Sequence, residues 1–478
     1  MECTRENIHL NIYPMITLRP YQEKLINDCR AAFKSGRKSV LLVAPTGSGK
    51  TICFAYFASR VTENKKRTLI LAHRSELLDQ ISTALTGFGV RHSFIAPGRP
   101  YFRNNPVHVA SVFCVTRRLS QIEAPDIIIV DEAHHAISGS TWSKVLDAFP
   151  KALRIGVTAT PLRLSGEGLD DIFDDLVVGP TVQELIDGGS LAKYRVFAPS
   201  TIQTDSMHIR GGDFVKSELE SAVDKPSITG NAINEYRKLA HGKRALAFCV
   251  SIDHAKHVAG EFTVAGYRAW SVDGKMDRTL RKQIVDDYKS GKLDVLTSCD
   301  LISEGFDLPA IEVAIMLRPT ASLGLWLQQC GRALRPHPGK DYALILDHAG
   351  NTERHGLPCQ DREWSLGGVE SHNKNGSEAS VSVRICPKCF GASRSAIPIC
   401  TYCGHVFEIK PREVEQKEGE LSEVDLEKAR IQKRREQGQA YTLLELIEIG
   451  KQRKYKKPYW WAQRVFQARQ ARKLARMA

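Results

Sequence analysis

No apolar run in this chain approaches the roughly 20 residues that a bilayer-spanning helix needs. The first twenty residues carry Glu2, Arg5 and Glu6 and no apolar core, so no secretory signal is visible. The two absences point to a cytoplasmic protein with no membrane partner. Cysteine shows little order: of 12, eight stand singly, as expected of reduced, partly buried thiols, and only Cys386, Cys389, Cys400 and Cys403 form a pattern. No internal repeat is visible. Acidic residues are missing altogether from Lys451 to Ala478, a stretch holding about ten basic ones. That imbalance supplies most of a formal charge of +13, and it points to an anionic partner.

A length of 478 residues suggests about three domains, and 42% apolar residues suffice for ordinary cores. Short apolar runs alternate with amphipathic stretches. "SVLLVA" (39–44), "RTLILA" (67–72), "DIIIVD" (126–131) and "RIGVTAT" (154–160) read as buried strands. The pattern resets after about residue 195, with "RALAFCV" (244–250), "DVLTSCD" (294–300), "VAIMLR" (313–318) and "YALILDH" (342–348). Strands alternating with helices imply a parallel, doubly wound α/β sheet, here twice in series. The expected divisions are an extension at 1–14 (with Met15 an alternative start), lobes at 15–195 and 196–350, and a polar linker at 351–382. A cysteine module at 383–409, a charged helical linker at 410–440 and a basic helical hairpin at 441–478 complete the chain.

"APTGSGKT" (44–51) ends a strand and opens a helix. Small residues there let backbone N–H groups close around phosphate, and the helix N-terminus favours negative charge. Thr46, Gly47, Ser48 and Gly49 would line the loop, Lys50 would reach the β and γ phosphates of ATP, and Thr51 would ligate Mg2+. Ala44 stands where the usual motif has glycine. "DEAHH" (131–135) closes a buried strand about 80 residues later. Asp131 fits the metal, and Glu132 fits the role of orienting and deprotonating a water. His134 and His135 could be metal ligands, but an interlobe hydrogen bond is the better reading of His134.

In order and spacing these motifs resemble those of the superfamily 2 helicases of DEAH type, across residues 15 to 350. The resemblance implies two tandem RecA-like lobes. It places Arg19 and Gln22 of "LRPYQ" at the adenine, and Gly305 and Asp307 of "SEGFDLP" near the ribose. Arg74 of "LAHRSELLDQ", Ser111 of "ASVF" and Ser251 of "FCVS" would face the nucleic acid. Thr158 and Thr160 of "TAT" would couple hydrolysis to lobe movement. "QQCGRALR" (328–335) supplies Gln328, Arg332 and Arg335, with the arginines neutralising charge that builds on the γ-phosphoryl group. "LRPTAS" (317–322), "LILDHAGN" (344–351) and "DREWSL" (361–366) look most like RadD-like DNA repair helicases and related phage or prophage helicases. These imply single-stranded, forked or branched DNA as partner, a single-strand-binding or replication/repair protein beside it, and work in repair, recombination or phage replication. A restriction-complex motor subunit, an RNA-dependent helicase and a non-enzymatic scaffold are the alternatives.

"CPKCFGASRSAIPICTYCG" (386–404) pairs two CxxC knuckles and predicts a closed, four-thiolate zinc ribbon. In the tail, Leu443, Leu444, Leu446, Ile447 and Ile449 form one helical stripe, with Gly450 as its stop. Pro458 opens a second helix in which Trp461, Val465 and Phe466 face a seam. Lys456 and Lys457 are candidate backbone contacts, and the role of Trp460 is left open.

Overall fold

The computed structural model describes residues 16–199, 202, 204, 206–299, 308, 311–368, 383–407, 436–437, 440, 442–453 and 458–474. The extension at 1–14, Gly305, Asp307, the stretch 369–382, most of the charged segment 410–440, and Lys456 and Lys457 lie outside the described residues. The chain divides after Phe407 into two units.

The first sheet holds β1 (Ser39–Val43), β2 (Thr68–Ala72), β3 (His92–Ile95), β4 (Val107–Ser111), β5 (Ile127–Asp131), β6 (Leu153–Thr158) and β7 (Asp175–Val178). Their order is β3-β4-β2-β5-β6-β1-β7, all parallel. The central strands are mostly apolar because both faces are covered, whereas the edge strands β3 and β7 carry polar, half-buried residues. Val40 and Leu42 of β1 enter a core with Leu25, Phe54 and Ile81. Leu41 and Val43, one residue out of phase, enter another with Trp142 and Phe173 on the opposite face. Parallel strands end at one edge, so the order β5-β6-β1 sets Asp131, Thr158 and the loop after Val43 side by side.

The second sheet contains β8 (Lys193–Phe197), β11 (Ala245–Phe248), β12 (Ala269–Val272), β13 (Val295–Ser298), β14 (Val313–Met316) and β15 (Tyr342–Asp347). A two-stranded ribbon, β9 (Ile209–Arg210) and β10 (Asp213–Phe214), precedes β11. The sheet order is β12-β13-β11-β14-β15-β8, again parallel. A lobe boundary at residue 195 therefore falls inside β8.

Residues 351–368, assigned to a linker on composition, carry the helix Asn351–His355 and then a strap. The Arg362 guanidinium gathers the carbonyls of His355, Leu357 and Gln360 at 3.1, 3.1 and 2.8 Å. Beyond it the chain returns to the first lobe. Trp364 and Leu366 pack on that lobe's core, and Leu169 N–H donates to Leu366 O at 2.7 Å. Gly168 permits the approach, since a Cβ there would lie 1.8 Å from Leu366 O. Composition sees polarity in this segment and cannot see a partner some 200 positions earlier.

The cysteine module forms an antiparallel pair, β16 (Val383–Ile385) and β17 (Ala392–Arg394). It covers the free edge of β8: Ala198 N–H donates to Phe390 O at 2.8 Å, and the Phe197 and Tyr402 rings lie 5.2 Å apart.

The second unit contains the helices Leu443–Gln452 and Pro458–Leu474. Thr442 and Glu445 form a reciprocal cap at the start of the first. Leu446 and Ala462 are buried between the helices, with Leu443, Ile447, Trp461 and Phe466 around them. Two expectations are corrected. Leu444 is 76% exposed, because it sits a sixth of the way or more off the 443, 446, 447, 450 stripe. Gly450 does not stop the helix, which continues to Gln452; it is the crossing point, where a Cβ would meet Pro458 Cβ at 3.0 Å.

Candidate nucleotide site and interlobe cleft

β1 runs into the loop 44–49, and the helix Lys50–Glu63 begins at once. Gly47 and Gly49 hold left-handed φ values of 88° and 78°, which a side chain resists. Gly49 also leaves room for a neighbour, since a Cβ would stand 2.6 Å from Gln22 Nε2. That amide donates to the carbonyls of Ser48 and Gly49 at 3.2 and 3.4 Å, while Gln22 Oε1 accepts Arg19 N–H at 2.9 Å. Tyr21, which the sequence motif contains but did not single out, donates its hydroxyl to Ser48 O at 2.8 Å. Arg19, Tyr21 and Lys24 line a pocket with Gly179, Pro180 and Ser190 beside the loop. Lys50 Nζ donates to the carbonyls of Ala44 and Pro45 at 3.0 and 3.3 Å.

Asp131 is buried at the tip of β5 and accepts Glu132 N–H at 3.0 Å. Glu132 adopts φ 48°, a strained backbone for a residue with a side chain. Its Oε2 is buried without a hydrogen-bond partner, 3.5 Å from His134 Nδ1. His134 Nδ1 also lies 3.0 Å from Thr158 Oγ1, whose hydroxyl donates to Thr160 O at 2.8 Å. The other ring nitrogen faces Gln328 Nε2 of the second lobe at 3.5 Å. One tautomer fits these two hydrogen bonds: Nδ1–H donates to Thr158, and Nε2 accepts from Gln328. His134 thus joins the two lobes.

The helix Leu323–Ala333 of the second lobe meets the first through two glycines. A Cβ on Gly324 would lie 2.9 Å from Thr160 Oγ1, and one on Gly331 would lie 2.5 Å from Thr46 Cβ. Arg332 is buried, and Arg335 Cγ packs against Gly47. Four charges surround Lys50. Burial pulls its ammonium pKa down, Glu132 and Asp131 push it up, and Arg332 and Arg335 pull it down again. The sequence reading missed Lys340. Its ammonium donates to Ile311 O at 2.6 Å, to Arg335 O at 2.9 Å and to Ala333 O, clamping the turn that carries Arg335. A further cross-lobe contact is the Arg281–Glu76 ion pair at 3.0 Å.

Of the residues expected to face nucleic acid, Arg74 and Ser111 stand at the carboxyl ends of β2 and β4, on the same edge as the phosphate loop. Ser251 is nearly buried and accepts His254 N–H at 3.1 Å, capping the helix Ile252–Val264. Elsewhere, the Sγ atoms of Cys386, Cys389, Cys400 and Cys403 lie within 4.8 Å of one another. Cys386–Cys403 and Cys389–Cys400 are each 3.6 Å apart. Ligands about 2.3 Å from a tetrahedral zinc are separated by about 3.8 Å, so the four thiols fit that ion.

Residues 15–163 match the family described as the type III restriction enzyme res subunit, and 226–337 match the helicase conserved C-terminal domain. The 51.5 kDa protein of a Lactococcus phage (isolate 7-9) is 34% identical over 392 residues, 82% of this chain and 83% of that protein. The "Putative ATP-dependent helicase IRC3" of Saccharomyces cerevisiae is 29% identical over 71% of this chain, which spans only 52% of the yeast protein. Among solved structures, the fragment of a "putative HsdR subunit of a type I restriction enzyme" from Vibrio vulnificus YJ016 shares the fold, with a TM-score of 0.56 and 21% identity over 72% of this chain and 68% of that one. No helix among the described residues is long and apolar enough to cross a membrane. With both helicase domains matched in order on two parallel lobes, the chain belongs to the superfamily 2 helicases and is a nucleic-acid-dependent ATPase.

Proposed function

We propose that this chain is a DNA motor of the DEAH, RadD-like type, which hydrolyses ATP between its lobes and uses their closure to move along or unwind DNA. The observation that carries the reading is the meeting of the two lobes at the phosphate loop, with Gly331 against Thr46 and Arg335 against Gly47, where Asp131, Glu132, Arg332 and Arg335 all act electrostatically on Lys50. Lys50 and the loop N–H groups from Thr46 to Thr51 hold the phosphates, and Arg19 and Gln22 meet the base. Glu132, whose buried Oε2 makes no hydrogen bond, accepts the proton of the attacking water. Thr51 and Asp131 are the residues to hold Mg2+, which when bound neutralises charge on the β and γ oxygens. Arg332 and Arg335 face the charge that develops on the transferred group. Such fingers contribute on the order of 10³ to 10⁵ in rate.

The Glu132–His134–Gln328 chain and Thr158–Thr160 link the water-activating group to the opposite lobe. Loss of the γ-phosphate therefore loosens the seam, and the reopened cleft carries the strand-gripping tips of β2 and β4 with it. Gly305 and Asp307 remain candidates for the ribose on sequence resemblance. The four cysteines hold a structural zinc, which supplies folding free energy to a module whose buried core is little more than Cys386, Cys400 and Phe407. DNA rather than RNA is favoured by the restriction-enzyme likeness of the first lobe. A single-strand-binding or replication/repair protein is the expected partner.

The test is ATPase turnover with single-stranded DNA, duplex and RNA, followed by unwinding of forks and junctions. Stimulation by DNA and strand separation are expected, and stimulation by RNA alone overturns the DNA reading. A second reading, the motor subunit of a restriction complex, is favoured by the match of residues 15–163. It predicts stimulation by duplex without strand separation.

A further inference from the structure

We propose that Trp460, flanked by Tyr459 and Arg464, is a stacking platform for the bases of a single-stranded nucleic acid; this rests on the reading of the chain as a nucleic-acid motor. Its neighbour Trp461 is accounted for by packing, since it closes the hairpin seam over Leu446 and Ala462. Trp460 is not: it is 68% exposed, and Tyr459 is 53% exposed. The helix Pro458–Leu474 therefore spends two large aromatic rings on solvent in its first turn.

The rings have a suitable setting. Arg464 lies four positions after Trp460 and is exposed, so the two share one helix face about one turn apart. Gln467 continues that face as an exposed residue. An indole presents a flat π surface to any base, and a guanidinium one turn away can take the adjoining phosphate or stack on the same base. The occupant is selected by charge. No acid occurs from Lys451 to Ala478, and Glu448 of the preceding helix is paired with Lys451 at 3.1 Å. A polyanion satisfies this surface. The flat ring further selects a single strand, because a duplex keeps its base faces stacked on each other.

The test uses the full chain and a fluorescent 20-nucleotide oligo(dT), with binding followed by anisotropy across a salt series. Trp460→Ala should weaken binding by about 5- to 150-fold, the value of one stacked base. The slope of log K against log salt should not change, since stacking releases no counterions. Trp460→Phe should keep most of the affinity, and a blunt duplex of equal length should bind the Ala variant and the parent alike. Arg464→Ala should instead reduce the slope by about one unit of charge. Wild-type affinity in Trp460→Ala overturns the platform, as does an equal loss on single strand and duplex, or a defect confined to a protein–protein interaction. If the parent chain neither binds oligo(dT) nor shows nucleic-acid-stimulated ATPase, the motor reading falls and the platform with it. Intact stimulation with an unaffected Trp460→Ala removes the platform alone.

Discussion

Gly331 of the second lobe lies against Thr46 of the phosphate loop so closely that a methyl group on it would stand 2.5 Å from the Thr46 Cβ. Two lobes with separate cores therefore meet here through backbone, beside the side-chain contacts of Gln328 with His134 and of Arg281 with Glu76. Gly324 repeats the arrangement one heptad earlier, against Thr160.

Gly331→Ala tests this seam. The added methyl cannot be absorbed by a flexible chain end, because its neighbour is a β-branched residue fixed in the loop. The lobes must part by a fraction of an ångström, which draws Arg332 and Arg335 back from the nucleotide. ATPase turnover should fall by tenfold or more, while ATP binding to the first lobe changes little. A wild-type rate in this variant would show that the seam is not formed at the moment of hydrolysis.

Glu132→Gln should keep nucleotide and DNA binding and lose about 10² to 10⁴ in turnover, the usual worth of a positioned general base. Lys50→Ala should lose nucleic-acid-stimulated hydrolysis with the fold intact. Single-turnover kinetics on both variants, with circular dichroism as the folding control, separates lost chemistry from lost structure.

Lys340 gives the motor an alkaline limit. Burial lowers its ammonium pKa to about 8, with Glu312 opposing the fall and Lys243 adding to it. The folded value lies below the unfolded value of about 10.4, so the unfolded chain holds the extra proton between the two. Stability linked to this residue therefore rises from about pH 8 to about pH 10.4. Its grip moves the other way. A neutral amine has two N–H groups for three carbonyls, so the Arg335 turn loosens as pH passes about 8. Turnover of the parent should decline there, and Lys340→Met should be slower below pH 8 and lack that limb. A pH–rate profile from pH 6.5 to 9.5 decides it; identical profiles count against the clamp.

Freshly purified protein should carry about one zinc per chain, and Cys400→Ser should lose it. Metal analysis by mass spectrometry is the measurement. Loss of the ion should also expose the β8 edge that the module covers, seen as faster amide exchange at Ala198, whose N–H donates to Phe390 O.

Much of the nucleotide half was legible in the chain, because Lys50, Asp131 and Glu132 lie at ends of strands that announce themselves as apolar runs. Those ends are brought together by parallel pairing, which the alternation of strands and helices already requires. What was hidden is whatever depends on contact between distant segments. Tyr21 stands inside "LRPYQ" and Lys340 five residues after "QQCGRALR", yet their acceptors are carbonyls, which have no signature in a sequence. Ser251 reads as a nucleic-acid contact, and the sequence does not show that its hydroxyl also caps the helix Ile252–Val264. Gly450 carries the same letter whether it ends a helix or lets another helix cross, and only the neighbour Pro458 decides.

The strap through Trp364 and Leu366 changes how the halves are joined. The chain leaves the first sheet after Val178, returns to it at 364–368, and is back on the second at Phe390, beside Ala198. The lobes are thus stitched by more than one pass of backbone, like a hinge with several pins. A single proteolytic cut in the 179–192 connection would leave them tethered, and the cleft's swing is confined to rotations that these passes permit together.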